Sequence, residues 1–431
     1  MAVGPEARPI PTFEAARHLV ENHAAQVHPP GTESVELLQA SNRVLAESVA
    51  ADRDIPPFPR STRDGYAVHA ADLGNLPVTL DVVAEIRAGQ KPEDIPSLLA
   101  RGQAASIMTG APVPAGADAV VMVEYTTRKA DRVEVTRAVR PGENIVPKGA
   151  EARLGASLLL PGARLNDAAI PLAASVGKSQ LKVYLRPRVT VLTTGDEIVP
   201  VESSPGPTQI RNSNSYSLAA QIQHAGGEPV LLPIAPDEPQ ELRRLIEQGL
   251  QSDLLILTGG VSMGRYDLVE QALAELNAEF FFTGANIQPG RPVVFGQIPW
   301  GGDTPFDKLR AGSVRQMPAH KYFFGLPGNP VSTMVTFKLF ARPMLEALTG
   351  LSPQKLVFLH ARLKSEIHAK TGLKRFLPAV LSGEFENSQV ELVAWQGSGD
   401  IAATARANCY VVVPSDRERI AAGEWVAVMM R

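Results

Sequence analysis

Cysteine is almost absent from this sequence: its 431 residues include one, Cys409. No intrachain disulfide can form, and no thiolate cluster can hold a metal. Any metal must use oxygen or nitrogen ligands, or sulfur that a cofactor brings. Long apolar runs are missing too, and nothing reaches the roughly 18 residues of a membrane span. The opening MAVGPEARPI lacks a signal-peptide core, so a cytoplasmic protein with no membrane partner is expected. Nor is there a basic excess. A net charge of −3 argues against a nucleic-acid surface, which needs many cations along the phosphate backbone. A small anion needs only a few local donors and stays possible.

What is present is an ordinary globular composition, 44% hydrophobic and 20% charged. The length exceeds what one core can serve, so three or four domains are expected. Gly and Pro number 35 and 36, enough for many turns but below the roughly 25–30% that signals disorder. Residues 12–27 read as a helix, with His23 on its apolar face as a packing residue rather than a ligand. The helical pattern repeats over 35–50 before Pro56, Pro57 and Pro59 stop it. Residues 60–150 show short alternating runs between Gly/Pro turns, which is a β-rich pattern. A further turn-rich passage over 153–186 holds a helix near 167–176.

From 188 the chain alternates strand, helix, strand. Strands are expected at 189–194, 229–234, 253–258, 279–283, 293–297 and 322–326. Helices are expected at 214–225, 238–250, 266–276 and 330–348, the last kinked at Pro343. The fold class is therefore α/β, a doubly wound, mostly parallel sheet domain accompanied by β-rich domains. Residues 299–319 read as a mobile hairpin insertion, and 355–431 as a small β-barrel or sandwich. The expected domains are 1–46 with 153–186, then 47–152, 187–350 and 351–431.

In open parallel sheets, ligands bind where strands end and loops meet helix starts. Three such places carry unusual residues. TGGVSMG (258–264) offers Gly259, Gly260 and Gly264 for close backbone approach and the Ser262 hydroxyl as donor. In LPGNPVS (326–332), Asn329 suits an N-cap and Pro330 the first helical position, with Pro327, Gly328 and Ser332 beside them. TTGDE (193–197) places Asp196 and Glu197 at a strand end, where carboxylates suit a hard cation such as magnesium. Taken singly, these are a tight turn, a capped helix and a solvated turn. Three in one sheet point to a site for an anionic, phosphorylated ligand.

Together with PPF…DGYAV (56–68), TGAPVPAGADAVVMVE (109–124), GENI (142–145) and PGRP (289–292), these segments resemble the molybdopterin molybdenumtransferase family, which includes the gephyrin E domain and plant counterparts. The resemblance spans nearly the whole chain in the family's order. It implies an elongated four-domain homodimer that takes adenylylated molybdopterin and molybdate, hydrolyses the adenylate and inserts molybdenum into the pterin dithiolene with Mg2+. It also implies molybdopterin adenylyltransferase and other molybdenum-cofactor pathway proteins as partners. The family's site lies between the sheet domain of one subunit and the β-rich domain of the other.

By position, Asp64, Glu197 and Asp267 would be acidic catalytic residues, with Asp196, Glu197 and Asp267 available to a metal and Glu151 near another acidic position. Thr109, Ser262, Arg291, Asn329, Ser332 and Ser398 would bind phosphate or molybdate oxygens. Four positions depart from the family pattern. Asn212 stands where an aspartate is usual, and an amide cannot act as a base. Gln288 and Pro378 stand where cations are expected, and Arg291 replaces a lysine. Asn212, Gln288 and Pro378 leave as an alternative to an active transferase a paralogue that binds the pterin with weak or altered insertion, and the likeness to gephyrin leaves a scaffold protein as another.

Overall fold

The structure, a computed structural model, describes residues 9–260, 268–300 and 319–431. Its chain divides into two compact units. One is Glu47–Pro161 with Asp167–Ser179; the other takes in the chain up to Ala46, Gly162–Asn166 and Gln180–Arg431.

The smaller unit is built on a six-stranded sheet, in the order Ala119–Met122, Gly65–Val68, Gln103–Ile107, Val78–Ile86, Arg132–Val135, Thr126–Lys129. Every residue of Gly65–Val68 is buried. Tyr66 and Val68 point into one apolar cluster and Ala67 into another, so both faces of this strand are covered. That is why the sequence here reads as a continuous small and apolar run rather than a clean alternation. The short helix Ala169–Ser175 also belongs to this unit.

The larger unit holds the parallel sheet. Its strand order is Glu228–Leu231, Arg188–Thr193, Leu254–Thr258, His320–Leu326, Val294–Pro299, Glu279–Phe282. The first four are mutually parallel, and Val294–Pro299 runs antiparallel to both its neighbours. Val191, Ile256 and Phe324 fill the core on one face, while Leu192, Leu257 and Phe323 fill the other. This double burial matches the unbroken apolar strands.

From Arg188–Thr193 the chain passes through the helix Asn214–His224 to Glu228–Leu231 on one side. It then returns through Pro239–Gly249 to Leu254–Thr258 on the other side. The winding reverses between Arg188–Thr193 and Leu254–Thr258, which makes their carboxyl ends a topological switch point.

Residues 355–431 close into a barrel. Lys374–Ser382 pairs with both Gln389–Leu392 and Cys409–Val413, and Leu359–Leu363 and Trp425–Met430 complete a five-strand ring. Of the barrel and the sandwich expected for this segment, the barrel is the one observed.

Two local expectations change. Residues 35–50 are not helical: Thr32–Glu36 is a strand paired with Gln180–Tyr184, and only Leu37–Ala40 makes a single 3-10 turn. Asn42 then adopts a left-handed φ of 61°. The amides of Asn42, Leu45 and Ala46 bond to the carbonyls of Leu165, Ala163 and Lys182. Distant backbone partners thus outcompete the helical spacing, because each amide is satisfied outside a helix.

The second change concerns Pro343. The helical run Pro330–Leu348 is interrupted one turn earlier, by a π-helical turn at Phe337–Ala341. A proline at 343 cannot donate to the carbonyl of residue 339. That carbonyl instead accepts from the buried Arg17 guanidinium at 2.6 Å. His23 is a packing residue, as its place on the helix Phe13–Ala24 suggests: its ring stacks on Phe281 at 3.9 Å and its Nδ1 meets the Tyr322 hydroxyl. The insertion expected at 299–319 falls almost wholly outside the described residues.

Candidate functional site

The switch point is lined by buried polar side chains that tie separate segments together. Asn214, first residue of its helix, donates from Nδ2 to Thr258 Oγ1 at 3.0 Å and to the Gly328 carbonyl at 2.7 Å. Thr258 in turn donates to the Pro327 carbonyl at 3.3 Å, and Thr333 Oγ1 donates to that same carbonyl. One asparagine therefore joins the helix start, the Leu254–Thr258 strand end and the Pro327–Gly328 loop. Among the described residues its Oδ1 has no partner, and neither does the buried Thr194 Oγ1. Buried polar atoms are normally satisfied. Two orphans at a switch point mark positions where a ligand can supply the missing donor or acceptor.

Glycine at 259 is forced by geometry. Its φ is +87°, and a Cβ there would lie 2.5 Å from the Thr194 carbonyl oxygen. Gly260 faces the same threonine, and Gly328 comes within 3.5 Å of Gly259 at the position a Cβ would take. The two loops named from sequence therefore do meet at the end of the sheet, beside Thr194. Ser262, Gly264 and Asp267 lie outside the described residues.

Asn212 is buried and holds the start of its helix. Its Oδ1 accepts from the Ser215 amide at 3.1 Å, its Nδ2 donates to Ser215 Oγ at 2.9 Å, and Ser215 Oγ meets Thr193 Oγ1 at 2.7 Å. Asn212 thus ties down the amide of the second helical residue from just outside the helix. A cavity of about 530 Å3 opens beside it, bounded by Asp196, Ile198, Asn212, Tyr216, Leu231 and Ile234. The largely apolar wall with a polar edge is the usual make-up of a small-molecule pocket.

Asp196 and Glu197 are exposed at this edge. Asp196 accepts from the Asp237 amide at 3.1 Å. Burial first, then the charges of Asp196 and Glu197, push the Asp237 carboxyl above the usual range. The site edge is therefore locally over-negative. Among the described residues no group of three His, Cys, Asp or Glu side chains is arranged to hold a metal ion. Magnesium needs only one or two carboxylates when waters and ligand phosphates complete its shell, so Asp196 and Glu197 fit it.

At the helix Pro330–Thr336, Asn329 occupies the cap position but its exposed side chain makes no capping bond. The Val331 amide donates to the Ser398 carbonyl at 3.0 Å. Ser398 is thus placed at this helix start, where its backbone uses one of the otherwise free N–H groups. Ser332 is buried in the first turn. Gly290 packs against the same helix, since a Cβ there would sit 2.3 Å from Thr336. That contact brings the Gln288–Pro292 loop alongside, with Arg291 exposed.

Gln288 has a partner that sequence reading missed. It lies opposite Arg375 in a two-residue parallel pairing, and its Oε1 accepts from Arg375 Nε at 2.8 Å. Arg375 is largely buried and also donates to the Leu373 carbonyl. A cation is therefore present beside position 288, three residues before Pro378. Pro378 itself is buried in the strand, opposite Tyr410.

The smaller unit carries its own pair. Asp64 Oδ1 accepts from the Thr109 amide at 2.7 Å, and that bond, with the Thr109 hydroxyl, holds the exposed Asp64 carboxyl below the usual carboxylate range. The DGYAV and TGAPVPAGAD loops are thus neighbours. Glu151 is exposed and paired with Arg60 at 2.9 Å.

A strand-end site with buried polar ties, a glycine-lined approach and an acidic edge defines an α/β protein of the doubly wound class with a candidate ligand site at its switch point. Three family models match in sequence: MoeA N-terminal region (domain I and II) over residues 11–177, probable molybdopterin binding domain over 190–347, and MoeA C-terminal region (domain IV) over 360–430. A molybdopterin molybdenumtransferase of Nostoc sp. is 35% identical, covering 98% of this chain and 94% of its own. One from Haemophilus influenzae is 32% identical, with 93% and 94% covered. A crystal structure of the molybdopterin biosynthesis MoeA protein from Pyrococcus horikoshii OT3 has a TM-score of 0.75 at 27% identity, covering 98% of this chain and all of that one. The chain belongs to the molybdopterin molybdenumtransferase family.

Proposed function

We infer that this protein inserts molybdate-derived molybdenum into adenylylated molybdopterin, with hydrolysis of the adenylate. The observation that carries this is the convergence of Gly259, the unpartnered Thr194 Oγ1 and the unpartnered Asn214 Oδ1 at the switch point. That place can receive a phosphorylated ligand with both donors and acceptors in reach.

In this reading the pterin brings the sulfur that the chain lacks. Gly259, Gly260 and the first turn of Pro330–Thr336 hold the ligand's phosphate oxygens, with Ser332, Ser398 and Arg291 beside them. Arg375, oriented by Gln288, supplies the cation for molybdate oxygens, so glutamine at 288 does not leave the site without positive charge. Asp196 and Glu197 would hold Mg2+, which when bound offsets charge on the adenylate phosphates. Asp64, kept ionised by Thr109, acts as the anionic group of its loop. Asn212 serves as a positioning residue through its helix cap, since an amide cannot take up a proton from water.

The reading extends to a cytoplasmic homodimer in which Asp64 of one copy serves the cleft of another. Because the ligand must arrive adenylylated, a molybdopterin adenylyltransferase is the expected supplier. Purified protein given adenylylated molybdopterin, molybdate and Mg2+ should release adenylate and yield cofactor that activates a cofactor-free molybdoenzyme. Absence of both products at saturating molybdate would overturn the assignment.

A further inference from the structure

A second cavity, of about 550 Å3, lies between the later turns of Asn214–His224, the middle of the Pro330–Leu348 run and the barrel. Its wall includes Gln221, Phe337, Lys338, Arg342, Tyr410 and Arg431. None of these belongs to the strand-end site. Gln221, Phe337, Lys338 and Arg342 come from later turns of helices whose first residues line that site, and Tyr410 and Arg431 come from the barrel.

Three cations face this space, and they differ in how they are satisfied. Arg342 is paired with Glu346 at 2.9 Å. Arg431 donates to the carbonyls of Thr404 and Ala407. Lys338 is half-buried and makes no hydrogen bond or ion pair among the described residues. Burial, then Arg342 and Arg431, pull its ammonium down to about 8. The Glu346 carboxylate, already paired with Arg342, opposes this shift. A lysine beside two guanidiniums with no carboxylate paired to it among the described residues is unfavourable in an otherwise apolar wall.

Two further observations point to an occupant. Gln221 Nε2 is buried on the same wall with no acceptor. Lys338 also lies within the π-helical turn Phe337–Ala341, and such turns often occur at functional positions. The remaining surface is apolar and aromatic, with Phe337 and Tyr410 buried beneath it.

We propose that this cavity is a separate binding site for a small organic phosphate monoester, its phosphate held by Lys338, Arg342, Arg431 and the Gln221 amide, its apolar body resting on Phe337 and Tyr410. The volume is that of ordinary metabolite pockets. A dianion would satisfy the unpaired ammonium and the orphaned amide together, which a neutral ligand cannot do.

The test uses the full chain and phenyl phosphate as probe, with phenol and inorganic phosphate as controls, followed by calorimetry. Phenyl phosphate should bind one to one and at least tenfold more tightly than either control. Lys338→Met, which keeps the aliphatic stem, should weaken it tenfold or more, whereas Lys338→Arg should retain it. Molybdenum insertion should be unchanged in both variants. Should Lys338→Met fail to fold, 13C-methylated wild-type protein gives an independent reading: the Lys338 resonance should titrate near 8 and move upward when the probe is added. No saturable binding at millimolar probe, binding indifferent to Lys338→Met, or a Lys338 titration that the probe does not move would each overturn the proposal.

Discussion

The Asp64–Thr109 pair and the Asn214–Thr258 network both arise from loop motifs at strand ends, yet they treat water in opposite ways. Asp64 and Thr109 are exposed and share one short carboxylate–amide contact. Asn214 and Thr258 are buried, and their bonds reach three segments far apart in sequence. An exposed pair adds little to folding because water replaces its bonds. A buried network is part of the fold, since losing one member leaves the others unsatisfied. The same family of motifs thus yields one group whose loss should leave the fold intact and another whose loss should be felt in stability.

The sharpest test of this contrast is Asp64→Asn. Turnover should fall by about a hundredfold or more, as for loss of an acidic catalytic group, while the melting temperature stays within a degree of wild type. Steady-state kinetics with thermal denaturation would check both. Asn214→Ala should do the reverse in emphasis. It strands Thr258 and the Gly328 carbonyl, so unfolding free energy should drop by about 1–3 kcal/mol, seen in urea titrations, with activity falling too. If Asn214→Ala were as stable as wild type, the distinction between the two regions would collapse.

Gln288→Lys sharpens the comparison from within the larger unit. An ammonium would replace the acceptor that holds Arg375, placing like charges side by side. A loss of about 1 kcal/mol or more is expected, together with weaker molybdate use, and the loss should shrink in high salt. The smallest effect belongs to Asp237→Asn. The Asp237 carboxyl is raised, so its charged form destabilises the fold at neutral pH. Its favourable contribution is present at low pH and is lost as pH rises through the folded value. Asp237→Asn should therefore raise the melting temperature slightly at pH 7 and not at pH 3, and added Mg2+ should narrow the difference.

Most strands of the parallel sheet were legible because burial on both faces leaves unbroken apolar runs, as in Leu254–Thr258. The glycine and proline loops at 259–260 and 327–330 were legible as well, since their composition has few other uses. Arg375 was not. Its partner Gln288 is 87 residues away, and only the pairing of two short strands sets them opposite each other. Asn214 and Ser215 sat inside a visible polar run at a helix start, where nothing local says which distant groups they bond. Asp237 gave no sign, because its meaning depends on Asp196 and Glu197 folding back beside it. The stretch 35–50 misled for a related reason: helical spacing is local, whereas the carbonyls that claim its amides lie at 163–165 and 182.

By itself, then, the sequence determined the alternation of strands and helices, the turn chemistry of the strand-end loops and the family to which they belong. These depend on side-chain period and backbone freedom, which neighbouring residues control. Tertiary structure alone decided which polar groups are satisfied and which are left open. It gave Asn212 an amide at a helix start to hold, Gln288 an arginine to hold and Lys338 no hydrogen-bond partner among the described residues. Hydrogen-bond satisfaction is a property of the folded chain, because each buried donor must find its acceptor among residues that only the fold brings near.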